Sequence, residues 1–215
     1  MHIILNFKTY KEATGKNAEE LVQMCNRSKV PQLIAAVQTA DLFRLSMLAK
    51  FPLFAQHVDP IEQGRNTGFT TVEAMKVNGA AGVLLNHSEH QLSFKEIKII
   101  VERCKANDLK TLVCTSSLSE GRKIISLGVD FLAYEYPQLI ASGISVTNKP
   151  YYLEKFVHSL RKIDKHGTKF ICGAGISKKE DVVKAQELGY EGVLIASAFV
   201  LADYPEGFLR EITGI

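Results

Sequence analysis

The sequence predicts an α/β protein in which eight parallel strands, each followed by a helix, close into a barrel over a single domain, 1–215. Three observations carry that prediction. Short apolar, β-branched runs alternate with longer segments of helical period. The 215 residues leave roughly 27 for each of eight units, the compact end for a closed barrel. Three of the runs also end in a polar residue able to do proton chemistry. Ile3-Ile4-Leu5 ends at Asn6-Phe7-Lys8, Gly82-Val83-Leu84-Leu85 at Asn86-His87-Ser88-Glu89, and the run 129–134 at Glu135. In a parallel barrel the strand interiors fill the core, and residues just past the C-terminal strand ends share one mouth. Lysine, histidine and glutamate, distant in sequence, can meet there.

In chain order, strands are expected at 2–6, 33–38, 53–57, 81–86, 110–114, 129–135, 169–172 and 192–196, each with an apolar centre. Between them the helical period is clearest at 92–107, where Leu92, Ile97, Ile100, Val101 and Cys104 share a face, and at 178–188, with Val182, Val183, Ala185 and Leu188. Gly128 and the pair Gly189 and Gly192 have the look of helix-to-strand turns, glycine supplying the left-handed residue. Two longer loops, 58–68 and 136–148, stand out on so compact a scaffold, and long loops are more often functional than accidental.

Composition narrows the partners. Twenty-six Lys and Arg against 23 Asp and Glu give a net charge of +3 with no basic block, so nucleic acid is not expected, while a local anion pocket is allowed. The first apolar run is broken by Lys8, too short for a signal peptide, and no stretch approaches a membrane span, so a soluble, cytoplasmic protein is expected. Cys25, Cys104, Cys114 and Cys172 lack paired metal spacing and read as reduced, buried thiols.

Each candidate also has a plain reading. His87 precedes Ser88-Glu89, where Ser88 is placed to cap the next helix; the dipole would then keep the imidazole neutral. Taken alone it is an ordinary polar strand end. Glu135 closes a buried strand, where a carboxylate must be solvated, ion-paired or used. The loop after it, from Tyr136-Pro137 to Ser142-Gly143, is built like a lid with two hinges. Lys8 by default is a solvated charge. Cys172-Gly173-Ala174-Gly175 and Ala196-Ser197-Ala198 end the last two strands with small residues, which lets a phosphate approach the backbone, although any tight turn favours them.

Together, the Asn6-Phe7-Lys8 opening, Ala55-Gln56-His57-Val58-Asp59-Pro60, Leu84 to His90, Tyr134-Glu135 with its lid, Cys172 to Ile176 and Ala196-Ser197-Ala198 closely resemble the triosephosphate isomerase family in its short archaeal form. The resemblance implies a (β/α)8 TIM barrel that interconverts dihydroxyacetone phosphate and D-glyceraldehyde 3-phosphate through an enediolate, in glycolysis and gluconeogenesis. It makes Glu135 the base, neutral His87 the donor to the enediolate oxygens, Lys8 the positive charge and Asn6 a substrate-orienting group. The phosphate would sit near Ile140, Ala141, Gly175, Ala196 and Ser197, and no metal or cofactor is implied. The implied assembly is a homodimer or homotetramer, the loop at Thr67-Gly68 inserting near a neighbour's Lys8 and His87.

Departures from the family pattern are Tyr136 for proline, Ala141-Ser142-Gly143 for Gly-Thr-Gly and Ala198 for glycine; an altered lid equilibrium or phosphate affinity is expected from them. The rivals are a barrel enzyme for another phosphorylated sugar and a phosphate-binding regulator. A Schiff-base aldolase needs a buried lysine where strand six offers Glu135, and a binder needs no base.

Overall fold

A computed structural model of the chain describes residues 1–136 and 145–214. Its strands are β1 (His2–Asn6), β2 (Leu33–Val37), β3 (Leu53–Ala55), β4 (Gly82–Leu85), β5 (Lys110–Thr115), β6 (Phe131–Glu135), β7 (Lys169–Gly173) and β8 (Gly192–Ile195). Each pairs in parallel with its chain neighbours, and β1 pairs with β8, which closes the barrel. All eight expected strands form, each within two residues of its expected bounds.

The helices between and after them are α1 (Lys16–Ser28), α2 (Thr39–Ser46), α3 (Val72–Val77), α4 (Phe94–Ala106), α5 (Leu118–Ile125), α6 (Pro150–Arg161), α7 (Lys179–Glu187), α8 (Ser197–Val200) and α9 (Pro205–Thr213). Gly128 and Gly189 adopt φ of +66° and +88°, the left-handed conformation expected at those turns.

Side chains of period 2 divide the core in two. Ile4, Ile34, Ala36, Phe54, Leu84, Leu112, Cys114, Phe131, Ala133, Ile171 and Leu194 fill the barrel interior. The alternate residues, among them Ile3, Leu5, Leu132, Tyr134 and Val193, pack outward against the helices. Phe54 is the largest interior plug on β3, and its ring lies 2.6 Å from where a Cβ on Gly82 would stand, so β4 must begin with glycine. Truncating Phe54 to alanine would cost about 3–5 kcal/mol.

The same alternation carries the inward face one step past the apolar layers. Asn6 follows Ile4, Gln56 follows Phe54 and Glu135 follows Ala133, each by two residues, so polar groups form the top layer at the C-terminal mouth. The four cysteines are free and buried, and desolvation holds the Cys25, Cys104, Cys114 and Cys172 thiols well above their ordinary range. No helix among the described residues is long and apolar enough to cross a membrane.

Candidate active site

Asn6 ends β1, Glu135 ends β6, Lys8 and His87 stand two residues beyond β1 and β4, Gly175 two beyond β7, and Ala196 directly after β8. All therefore lie at one mouth. They line a common cavity of about 300 Å³, together with Ser197, the first residue of α8. Ile140 and Ala141, expected at the phosphate, lie outside the described residues, as do the other departures at the lid's far hinge.

Within the cavity, His87 Nε2 lies 3.4 Å from Glu135 Oε1. That is loose for a hydrogen bond, as catalytic pairs commonly are before substrate arrives. Both side chains are largely buried, at 10% and 8% exposure, so the pair acts in a site poor in water. The proton on His87 can be assigned from its neighbours. The Glu89 backbone N–H donates to Nδ1 at 3.2 Å, so Nδ1 carries no hydrogen and Nε2–H faces the carboxylate. Glu89 also brings a carboxylate oxygen to 3.5 Å from Nδ1, but that side chain is 59% exposed and its charge is screened.

Ser88 does not cap a helix. Residues 87–90 form a turn closed by His90 N–H to His87 O at 2.8 Å, and α4 begins only at Phe94. Its cap is Ser93, whose hydroxyl accepts from Glu96 N–H at 3.3 Å while Glu96 accepts from Ser93 N–H at 2.7 Å. The Ser88 hydroxyl is buried with no hydrogen-bond partner. A local backbone donor, not the start of α4, orients the ring.

Burial raises the Glu135 pKa. The His87 imidazole, a hydrogen bond from the Cys114 thiol and the Lys8 ammonium lower it, and the net places it below the ordinary carboxylate value. The Glu135 carboxylate is therefore ionised at neutral pH. Its room comes from Gly173 on β7, its register partner, where an added Cβ would come within 3.3 Å of the Glu135 Cγ.

Three strand ends here hold non-glycine residues at positive φ: Lys8 at 47°, Asn86 at 57° and Ala174 at 86°. Such conformations persist only where the surroundings over-determine them. Asn6 Oδ1 accepts from Lys8 N–H at 3.0 Å and from Gln56 Nε2 at 3.2 Å, and Gln56 also donates to the Lys8 and Ala36 carbonyls, each at 3.1 Å. Asn86 donates to Cys114 O at 2.9 Å and Glu120 at 3.0 Å and accepts from Leu92 N–H at 2.9 Å. The Ala174 carbonyl accepts from Val146 N–H at 3.0 Å. Lys8 is tethered to Glu89 at 2.7 Å; with the partner exposed, the pair orients the ammonium more than it stabilises the fold.

Sequence reasoning assigned no role to Gln56, Glu89, Cys114 or Glu120. Gln56 and Glu89 sit inside the motifs quoted above, so their position past a strand end was the available signal. Cys114, inside β5, and Glu120, on α5, had none, because what brings them to the site is contact with the ends of other elements, β6 for Cys114 and β4 for Glu120.

Comparison with known proteins agrees with this geometry. The family described as triosephosphate isomerase matches residues 1–212. A triosephosphate isomerase of Methanothermus fervidus is 41% identical over 214 residues, covering 98% of this chain and 96% of its own. Those of Methanobrevibacter smithii and Methanocaldococcus jannaschii are 37% and 38% identical, covering 98% and 99% of this chain and 96% and 98% of their own. With matches that run from the first strand to the last helix, the chain belongs to the triosephosphate isomerase family.

Proposed function

We propose that this chain interconverts dihydroxyacetone phosphate and D-glyceraldehyde 3-phosphate with Glu135 as base, His87 as hydrogen-bond donor and Lys8 as the fixed positive charge, in one domain spanning the chain. The observation that carries the role assignment is the facing pair of His87 Nε2–H and the ionised Glu135 carboxylate beside Lys8 in one cavity.

Glu135 takes the proton from the carbon next to the substrate carbonyl. A carboxylate is a weak base for a carbon acid, so the step proceeds only if charge developing on oxygen is stabilised at once. The His87 Nε2–H and the Lys8 ammonium supply that stabilisation, and Asn6 orients the substrate. Glu135 then returns the proton to the neighbouring carbon, while the hydroxyl proton passes from one substrate oxygen to the other by way of His87 Nε2, so that one carbonyl is lost as the other forms and the isomerisation is complete. The phosphate dianion rests beside the small residues Gly175, Ala196 and Ser197, with Ile140 and Ala141 contributing from the loop.

Conversion in deuterium oxide tests the proton route. A single base that exchanges with solvent leaves deuterium on the carbon next to the carbonyl of the product, and Glu135→Gln abolishes both conversion and label. Undiminished labelling by Glu135→Gln refutes the assignment.

The reading extends to a homodimer or homotetramer. Beside the active site a second cavity, of about 710 Å³, is lined by Lys8, Gln38, His57 and His90, and the loop carrying Thr67 and Gly68 leaves Phe69 57% exposed. Insertion of that loop into a neighbour's cavity would cover both. Light scattering on the purified protein tests it; a monomer at micromolar concentration refutes it.

A further inference from the structure

Glu135 is flanked by two tyrosines. Period 2 sends both the opposite way from the carboxylate. Tyr134, 6% exposed, stacks on Phe156 of α6 at 4.3 Å between ring centroids and 20° between planes. Tyr136, the first residue past β6, meets Tyr134 edge-on at 6.5 Å and lies against Tyr152 of the same helix at 5.2 Å. Tyr152 and Phe156 are four residues apart, so they share one face of α6. Phe156 in turn is braced edge-on by Phe170 of β7 at 6.4 Å.

The column stands where the strand pairing ends. The β6–β7 ladder ends at the pair Glu135 and Gly173, and the glycine offers the base no side chain to pack against. Directly after Glu135, the last described residue before position 145 is Tyr136, which packs on this column. We propose that Tyr152 is a positioning residue for Glu135: by holding Tyr136 on the column it fixes the chain on the far side of the base. The inference rests on Glu135 being that base. Displacement of a reacting group by about 1 Å can cost as much as 10²-fold in rate, so loss of one anchor should be visible in turnover.

Steady-state kinetics with glyceraldehyde 3-phosphate on the full-length protein decide it. Tyr152→Ala should lower kcat by about three- to tenfold, ~0.7–1.4 kcal/mol of barrier, with KM changed less than about twofold. Tyr152→Phe, which keeps the ring, should recover most of the loss. Tyr152→Leu keeps apolar volume without the ring and should lose kcat as alanine does, also where the alanine variant folds poorly. If Tyr152 acts through Tyr136, the Tyr136→Ala, Tyr152→Ala double variant is no slower than the worse single one. An unchanged kcat in both Tyr152→Ala and Tyr152→Leu, a loss confined to melting temperature, or additive losses in the double variant would overturn the proposal. Glu135→Gln separates the layers. Wild-type turnover in that variant sinks the base assignment, whereas a dead Glu135→Gln beside an unaffected Tyr152→Ala and Tyr152→Leu sinks the column alone.

Discussion

At the N-terminal mouth of the barrel, carboxylates close loose backbone ends. Asp130 accepts from Thr111 N–H at 2.9 Å, and Glu191 accepts from Phe170 N–H at 2.8 Å and from Arg161 at 2.8 Å. At the C-terminal mouth the carboxylate of Glu135 faces a cavity, and the side-chain amides of Asn6, Gln56 and Asn86, with the Glu120 carboxylate, do the bracing. Both ends hold left-handed non-glycine residues. At the first they are Lys29, Gln32 and Asp108, in turns where helix passes to strand; at the second they are Lys8, Asn86 and Ala174, where strands deliver chemistry. One set of strands thus gives capping carboxylates at one mouth and the candidate site at the other, as the common strand direction of a parallel barrel dictates.

Substitution at each mouth tests that division. Glu135→Gln should reduce turnover by about 10²–10⁴-fold or more and barely move the melting temperature, as measured by coupled assay and calorimetry. His87→Gln should follow with about 10²–10³-fold, mostly in kcat, since its hydrogen bond strengthens only as charge reaches the substrate oxygen. Asp130→Ala at the opposite mouth should leave kcat unchanged and destabilise the fold by about 1–2 kcal/mol in urea titration, because it strands the Thr111 N–H in a residue 1% exposed. A kcat defect in Asp130→Ala comparable to that of His87→Gln would erase the distinction.

The same separation explains what was legible in the sequence. The strands could be read because each is buried on both faces and so appears as a continuous apolar run. The candidate trio Lys8, His87 and Glu135 could be read because such runs end at polar residues. What could not be read was decided by long-range contacts. Ser88-Glu89-His90-Gln91 and Ser93-Phe94-Lys95-Glu96 both fit the pattern of a helix start. Asn86 settles the choice in the fold: its side chain captures the Leu92 N–H, which commits 87–92 to a loop and leaves Ser93 as the cap. Strand β3, expected to reach residue 57, ends at Ala55, and Gln56 turns its amide onto Asn6, Lys8 and Ala36. The aromatic column behind Glu135 joins β6 to α6, and no local spacing announces a contact of that kind.

The smallest effect expected is at His2, and its sign distinguishes the two ends. Its ring is half-buried at the N-terminal mouth, and burial, then the Lys169 ammonium, then the N-terminus lower its pKa to about 4. Lys169 Nζ sits 3.0 Å from Nε2, so the neutral ring accepts there, while Nδ1 is buried with no hydrogen-bond partner. An unfolded chain would protonate the same ring near pH 6.5. As pH falls from about 7.5, the unfolded state takes the proton first, so stability is lost between roughly pH 7 and 4 and levels off below that. Solvent reaches part of the ring, which discounts the loss to about 1 kcal/mol. Glu135 behaves in the opposite window: with a folded pKa below the ordinary value, its contribution persists down to about pH 4.5 and fades only beneath it. The urea midpoint of wild type should therefore fall relative to that of His2→Gln between pH 7.5 and 5, since glutamine can still accept from Lys169 without titrating. Curves that stay parallel across that interval would show that the N-terminal mouth holds no acid-sensitive histidine, and the contrast between the two ends would then rest on kinetics alone.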